Sequence, residues 1–122
     1  MQVSAIFRRG VILPLDEEAE GRLKANDVEE TISVRYLEIE DRIFEVLWYT
    51  GVFQRINART NALIDDYEEC FVEADLMPEV LKAIAETLTK RTFSSSVMNF
   101  LTSLSSIATE AASSGRPLFF VL

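Results

Sequence analysis

The sequence contains no histidine. That removes the commonest general base, every Ser-His and Cys-His nucleophile pair, and the commonest transition-metal ligand. Cysteine occurs once, as Cys70. No intramolecular disulfide can form, a reducing compartment is the simplest expectation, and a zinc site of Cys and His ligands is out of reach. The neighbours of Cys70 in sequence are acidic, which disfavours a thiolate, so it reads as a small buried hydrophobe. The four glycines never fall at the spacing of a P-loop or a dinucleotide fingerprint. The serine-rich stretch TFSSSVMNFLTSLSSIATEAASSG (92–115) has no Gly-x-Ser-x-Gly elbow and no partnering base. The expectation is a non-enzyme with no cofactor and no metal. No apolar run approaches the roughly 18 residues of a membrane span. The opening segment MQVSAIFRRGVILPLDEEAEG lacks the basic start, long apolar stretch and cleavage site of a signal peptide. A cytoplasmic protein without a membrane partner is expected. Positive charge is also scarce: twelve Lys and Arg face twenty Asp and Glu, a net charge of −8. Such a surface repels phosphate backbones, so nucleic acid is not an expected partner, whereas basic proteins are attracted.

What the chain does have is acid, and it lies in two blocks. Residues 16–45 hold eleven acids against four bases, and residues 65–79 hold seven acids and no base. The second block sits in LIDDYEECFVEADLMPEV (63–80). A calcium loop would need a glycine and alternating ligands, and both are missing there. An acid–base pair would need one carboxyl raised in an apolar cleft, while seven together indicate exposure. A solvated face and a docking face for a basic protein remain. Strand alternation sends Glu68 and Cys70 one way and Glu69 and Phe71 the other. A docking face would therefore draw on Asp65, Asp66 and one of Glu68 and Glu69, joined by Glu38, Glu40 and Asp41 of the first block. Trp48, Tyr49 and Phe53 surround Gly51 and are expected in the core; any that is exposed becomes an interface anchor. Arg55, Arg59 and Arg116 read as surface ion-pair partners.

The periodicities predict intermixed helices and strands. VSAIF and VILPL flank Arg8-Arg9-Gly10 and fit either a hairpin, with Gly10 at positive φ in the turn, or an amphipathic helix. DEEAEGRLKAND (16–27) reads as a helix capped by Asp16, with Leu15, Ala19 and Leu23 inward; Gly21 weakens it by about 1 kcal/mol. ETISVRY (30–36) alternates as a half-buried strand. EIEDRIFEVLWYTG (38–51) is helical, with Ile39, Ile43, Val46, Leu47 and Thr50 along one side, Phe44 and Trp48 widening that stripe, and Gly51 as the left-handed stop. A short helix follows with Phe53 and Ile56 inward. YEECFV (67–72) is a strand. A helix starts near Asp75 and Pro78 with Val80, Leu81, Ile84 and Leu88 buried. The last helix, capped within Ser94–Ser96, buries Val97, Phe100, Leu101, Leu104, Ile107, Ala108 and Ala111. PLFFVL (117–122) is too apolar for a free end and is expected inside the sheet.

The fold class expected is α+β: one domain over residues 1–122, a small mostly antiparallel sheet packed with four to five helices. The stretch IFEVLWYTGVFQRINARTNALIDDYEECFVEADLMPEVLKAI (43–84) resembles the small immunity proteins of bacterial toxin–immunity systems, including contact-dependent inhibition. So does the plan over residues 36–122, an acidic chain with two late helices and an apolar terminal strand. The resemblance lies in overall plan and transfers no individual binding residue. It implies a cytoplasmic protein that binds a cognate basic toxin, often a nuclease, and blocks its active site through an acidic face. Two other expectations stand beside it: an adaptor self-associating through the terminal strand or the last helix, and a small enzyme using carboxylates alone. A monomer is favoured.

Overall fold

The computed structural model describes residues 1–65 and 69–122 of the chain. Its architecture is α+β, as the periodicities predict. The described residues form helices α1 (Val3–Ile6), α2 (Glu17–Lys24), α3 (Asp41–Tyr49), α4 (Val52–Thr60), α5 (Met77–Lys90) and α6 (Ser95–Ser114), with a 3-10 turn at Ala74–Leu76. The strands are β1 (Gly10–Pro14), β2 (Val34–Glu38), β3 (Glu69–Val72) and β4 (Leu118–Val121). They make one sheet in the order β2-β1-β4-β3, antiparallel throughout.

The two inner strands explain the two apolar runs of the sequence. Along β1, Val11 and Leu13 enter the larger core and Ile12 enters the smaller one on the opposite face. Along β4, Leu118 and Phe120 go one way and Phe119 and Val121 the other. A strand covered on both faces has no polar side to show, so its sequence is continuously apolar. Helices α3 to α6 cover the first face, and α1, α2 and the segment through Val28 cover the second. α6 buries the seven residues its 3.6-residue period predicts, with the Ser94 hydroxyl accepting from the Val97 N–H and Gly115 at φ 70° ending it. Likewise the Asp16 carboxylate accepts from the Ala19 N–H at 2.7 Å. β4 is paired on both edges, and α6 turns its apolar stripe to the core. Among the described residues no helix is long and apolar enough to cross a membrane.

Several expectations are corrected in detail. Residues 1–14 are neither a hairpin nor one helix: α1 is a single turn, and the chain then enters β1. Gly10 is not a positive-φ turn residue; the glycines with positive φ are Gly51 and Gly115. Gly10 is the first residue of β1, and a Cβ there would stand 2.5 Å from the Leu37 carbonyl oxygen. Its role is close strand approach. Leu15, Val46 and Leu88, expected inward, are exposed. In α3 Phe44 and Leu47 of the expected stripe are buried, and Ile43 and Trp48 pack against the same core.

The Tyr36 ring packs on Phe7 with centroids 5.3 Å apart, and its hydroxyl donates to the Arg8 and Arg9 carbonyls at 2.9 and 3.2 Å. Burial, aided by the nearby Glu38 charge and opposed by Arg8, pushes its phenol from 10 up to about 12. The folded chain keeps this proton where the unfolded chain loses it. That contribution to stability is whole below pH 10 and is lost as pH rises toward about 12. Tyr36→Phe is expected to flatten the alkaline fall in the denaturant midpoint across that window. Gly10→Ala is expected to cost about 1–3 kcal/mol in chemical denaturation, since backbone atoms must move apart to admit the methyl group.

Candidate functional site

Helix α3 carries one wall of a cleft in which acids of both blocks meet. Residues four apart lie above one another on a helix, so Asp41, Glu45 and Tyr49 form one line and Phe44 and Trp48 the next. Phe44 is buried, Trp48 half-buried and Tyr49 73% exposed. Trp48 is wedged between the Phe44 ring at 6.1 Å and the Phe53 ring at 5.9 Å. Of the three aromatics around Gly51, Phe53 is thus core and Tyr49 is the open one.

The opposite wall is the segment after α4, and side chains set its path. Gly51 at φ 85° turns α3 into α4, and Asn61 at φ 59° ends α4. Thr50 seals the first junction: its hydroxyl donates to the Leu47 carbonyl at 2.6 Å and accepts from the Val52 N–H at 3.2 Å. Thr60 does the same at the second junction, toward the Ile56 carbonyl and the Ala62 N–H. Asn57 then acts like a neighbouring strand. Its amide nitrogen donates to the Ile64 carbonyl and its oxygen accepts from the Ile64 N–H, both at 2.8 Å. Ile64 is held inward at 3% exposure, leaving Leu63 76% exposed. The next residue, Asp65, then meets the acids of α3.

Arg9 forms the floor. Its guanidinium lies 3.6 Å over the Phe44 ring, its Nε donates to the Leu122 carbonyl at 3.2 Å, and it reaches Asp41 at 3.5 Å. Asp41 is 95% exposed, so that ion pair is worth little, ~0–1 kcal/mol; the ring and the carbonyl hold Arg9. Together Arg9, Asp41, Glu45, Trp48, Tyr49 and Asp65 enclose a cleft of about 450 Å³. A second hollow of about 480 Å³ shares Trp48 and Asp65 and continues past Gln54 and Asn57 to Leu63. Three carboxylates against one guanidinium give the cleft a negative field, and its aromatic walls give it an apolar side.

The sequence candidates separate on this map. Asp41 and Asp65 come from different acidic blocks and line one cleft. Glu38 and Glu40 continue the acid surface past Asp41 in a shallow hollow with Arg8, where Glu40 pairs with Arg42. Glu69 is turned away. Alternation in β3 points Cys70 toward the main core and Glu69 toward α1, where its carboxylate accepts from the Ser4 N–H at 3.2 Å. Asp66 and Glu68 lie outside the described residues. Cys70 is half-buried. The sequence reading did not single out Glu45 or Leu63. Glu45 was detectable, being one helical turn beyond Asp41, whereas the exposure of Leu63 follows from the Asn57 clasp and has no local signal.

Elsewhere Arg59 and Arg116 form the ion pairs expected of them. Arg59 pairs with Glu79 at 2.8 Å and with Glu86, and this bond to Arg59, followed by one to Lys82, holds the Glu79 carboxyl below the ordinary range. Arg116 pairs with Glu20 at 3.1 Å. Arg55 is instead internal, donating to the Thr50 carbonyl at 2.9 Å and the Thr87 hydroxyl at 3.1 Å. Among the described residues, no three His, Cys, Asp or Glu are grouped to hold a metal ion.

In comparisons with known proteins, no family model, no curated sequence and no solved structure matches the chain. The Asn57 clasp yields a local test. Asn57→Ala removes both bonds to Ile64, and the Ile64 amide should exchange with solvent at least about tenfold faster, as for a lost hydrogen bond of ~1.4 kcal/mol, while the α6 amides keep their protection.

Proposed function

We propose that the chain is a non-enzymatic binding protein that docks a basic protein on the cleft between α3 and residues 61–65, and that it neutralises a cognate toxin in this way. One observation carries the reading: acids from two separate blocks, Asp41 and Glu45 on α3 and Asp65 after α4, converge beside exposed aromatic surface. Charge of one sign around a concave site speeds encounter with the opposite sign and rejects wrong partners. Trp and Tyr with an adjacent apolar residue such as Leu63 supply the contact area that holds a complex once formed. Acid alone would suit a solvated face; acid framing an aromatic cleft suits a partner.

The resemblance to immunity proteins supplies the kind of partner. A toxin that acts on nucleic acid presents a basic cleft to a phosphate backbone, and a net charge of −8 suits a protein occupying that cleft in its place. In that role the chain works in the cytoplasm of the cell that makes it, as a monomer with one toxin domain.

The test is co-expression of the chain with the basic toxin domain encoded beside it. Restored growth and a stable one-to-one complex are expected. The triple variant Asp41→Lys, Glu45→Lys, Asp65→Lys should keep the wild-type circular dichroism, slow association by on the order of tenfold or more, and lose protection. Undiminished binding and protection by the triple variant would remove this surface from the function.

A further inference from the structure

The chemistry of the cleft specifies more than a basic partner. We infer that it receives an arginine side chain of the partner, with the guanidinium laid against the Trp48 and Tyr49 rings and held by the carboxylates of Asp41 and Glu45. This rests on the docking role proposed for the cleft.

The cleft already shows how it takes a guanidinium. Arg9 lies 3.6 Å over the Phe44 ring with Asp41 at 3.5 Å, an aromatic face below and a carboxylate beside. The same two elements repeat one row outward along α3. There the aromatic surface is Trp48 and Tyr49, and the carboxylate one turn from Asp41 is Glu45. Tyr49 is 73% exposed, and the Asp41 carboxylate is 95% exposed. Glu45 makes no ion pair among the described residues. The lining thus offers the Glu45 carboxylate beside the exposed Asp41 carboxylate, together with open aromatic area.

Arginine fits this lining better than lysine. Guanidinium is planar and weakly hydrated, stacks on aromatic faces and spreads its donors to more than one carboxylate. Ammonium is compact and strongly hydrated, and it loses more by entering an aromatic cleft. A side chain of a protein also fits better than free arginine. The adjoining hollow toward Leu63 and Ile64 offers apolar surface to the flanking main chain. A free amino acid would leave that hollow empty and bring its own carboxylate against the acids.

Trp48 is the single tryptophan of the chain, so its emission reports on this cleft alone. The full chain is titrated with a short capped arginine peptide, with the matching lysine peptide and with free arginine. A saturable change is expected with the arginine peptide, about threefold or more weaker with lysine. In Asp41→Asn with Glu45→Gln the affinity should fall roughly tenfold, with unchanged circular dichroism, since both side chains are exposed. No saturable change, equal affinity for the two peptides, tighter binding of free arginine, or unaltered binding by the double variant would each overturn the inference. The two readings fail separately. Loss of protection in the triple lysine variant without any peptide response leaves the docking surface and removes the arginine. A peptide response with protection intact in that variant does the reverse.

Discussion

Two adjacent strands buried on both faces set the terms for everything else in this chain. β1 and β4 expose almost nothing, and their side chains divide between two cores. An antiparallel sheet usually keeps one wet face, and that solution is closed to Val11-Ile12-Leu13 and Phe119-Phe120-Val121. Helices must therefore stand on both sides. The larger set, α3 to α6, covers the whole sheet, whereas α1 and α2 need only shield the strip made by Ile12, Phe119 and Val121. The outer strands β2 and β3 are less buried and carry the charge, with Glu38 on one and Glu69 on the other.

The cleft is a by-product of that cover. α3 must present Phe44 and Leu47 to the core, and the helical repeat then places Asp41, Glu45 and Tyr49 on the adjoining outward side. The turn at Gly51 brings α4 back against α3, and Asn57 on α4 fixes the strand-like segment that carries Leu63 and Asp65. Arg9 ties the floor to the end of β4 through the Leu122 carbonyl. Thr50, Thr60 and Asn57 thus hold the turns that shape the cleft by hydrogen bonds, which would lower the ordering cost of docking.

How much of this the sequence disclosed depended on whether the signal was local. The stripe of α6, the caps Asp16 and Ser94, the left-handed stop at Gly51 and the inner placement of PLFFVL all follow from periodicity or from one residue's chemistry, and all are present. Residues 1–14 were ambiguous because Gly10 serves an inter-strand contact with Leu37, and nothing nearby in sequence shows it. Val46 lies outside the buried arc of α3 because that arc centres on Phe44 and Leu47, which the apolar spacing alone does not distinguish from one centred on Ile43. For the proposed site, acid density pointed to the two blocks that supply Asp41 and Asp65. Alternation implies that those acids cannot share one face, and Glu69 faces away, toward the Ser4 N–H. Which acids meet Asp65 was a tertiary matter, decided by the turn between α3 and α4.

The position of β4 also orders events in time. It separates β1 from β3, so strands at residues 10–14 and 69–72 become members of one sheet only when residues 118–121 lie between them. A ribosome making the chain releases the first three strands before the piece that joins them exists. Until then the inner edges of β1 and β3 stand open, and the helices have half a platform to pack on. Such long-range closure slows folding and prolongs exposure of apolar edges. Acids follow one another through β3 and just beyond it, at Glu69, Glu73 and Asp75, and like charge along an open edge opposes edge-to-edge pairing of nascent copies. The charge on which the proposed docking role rests thus also bears on the unfinished chain.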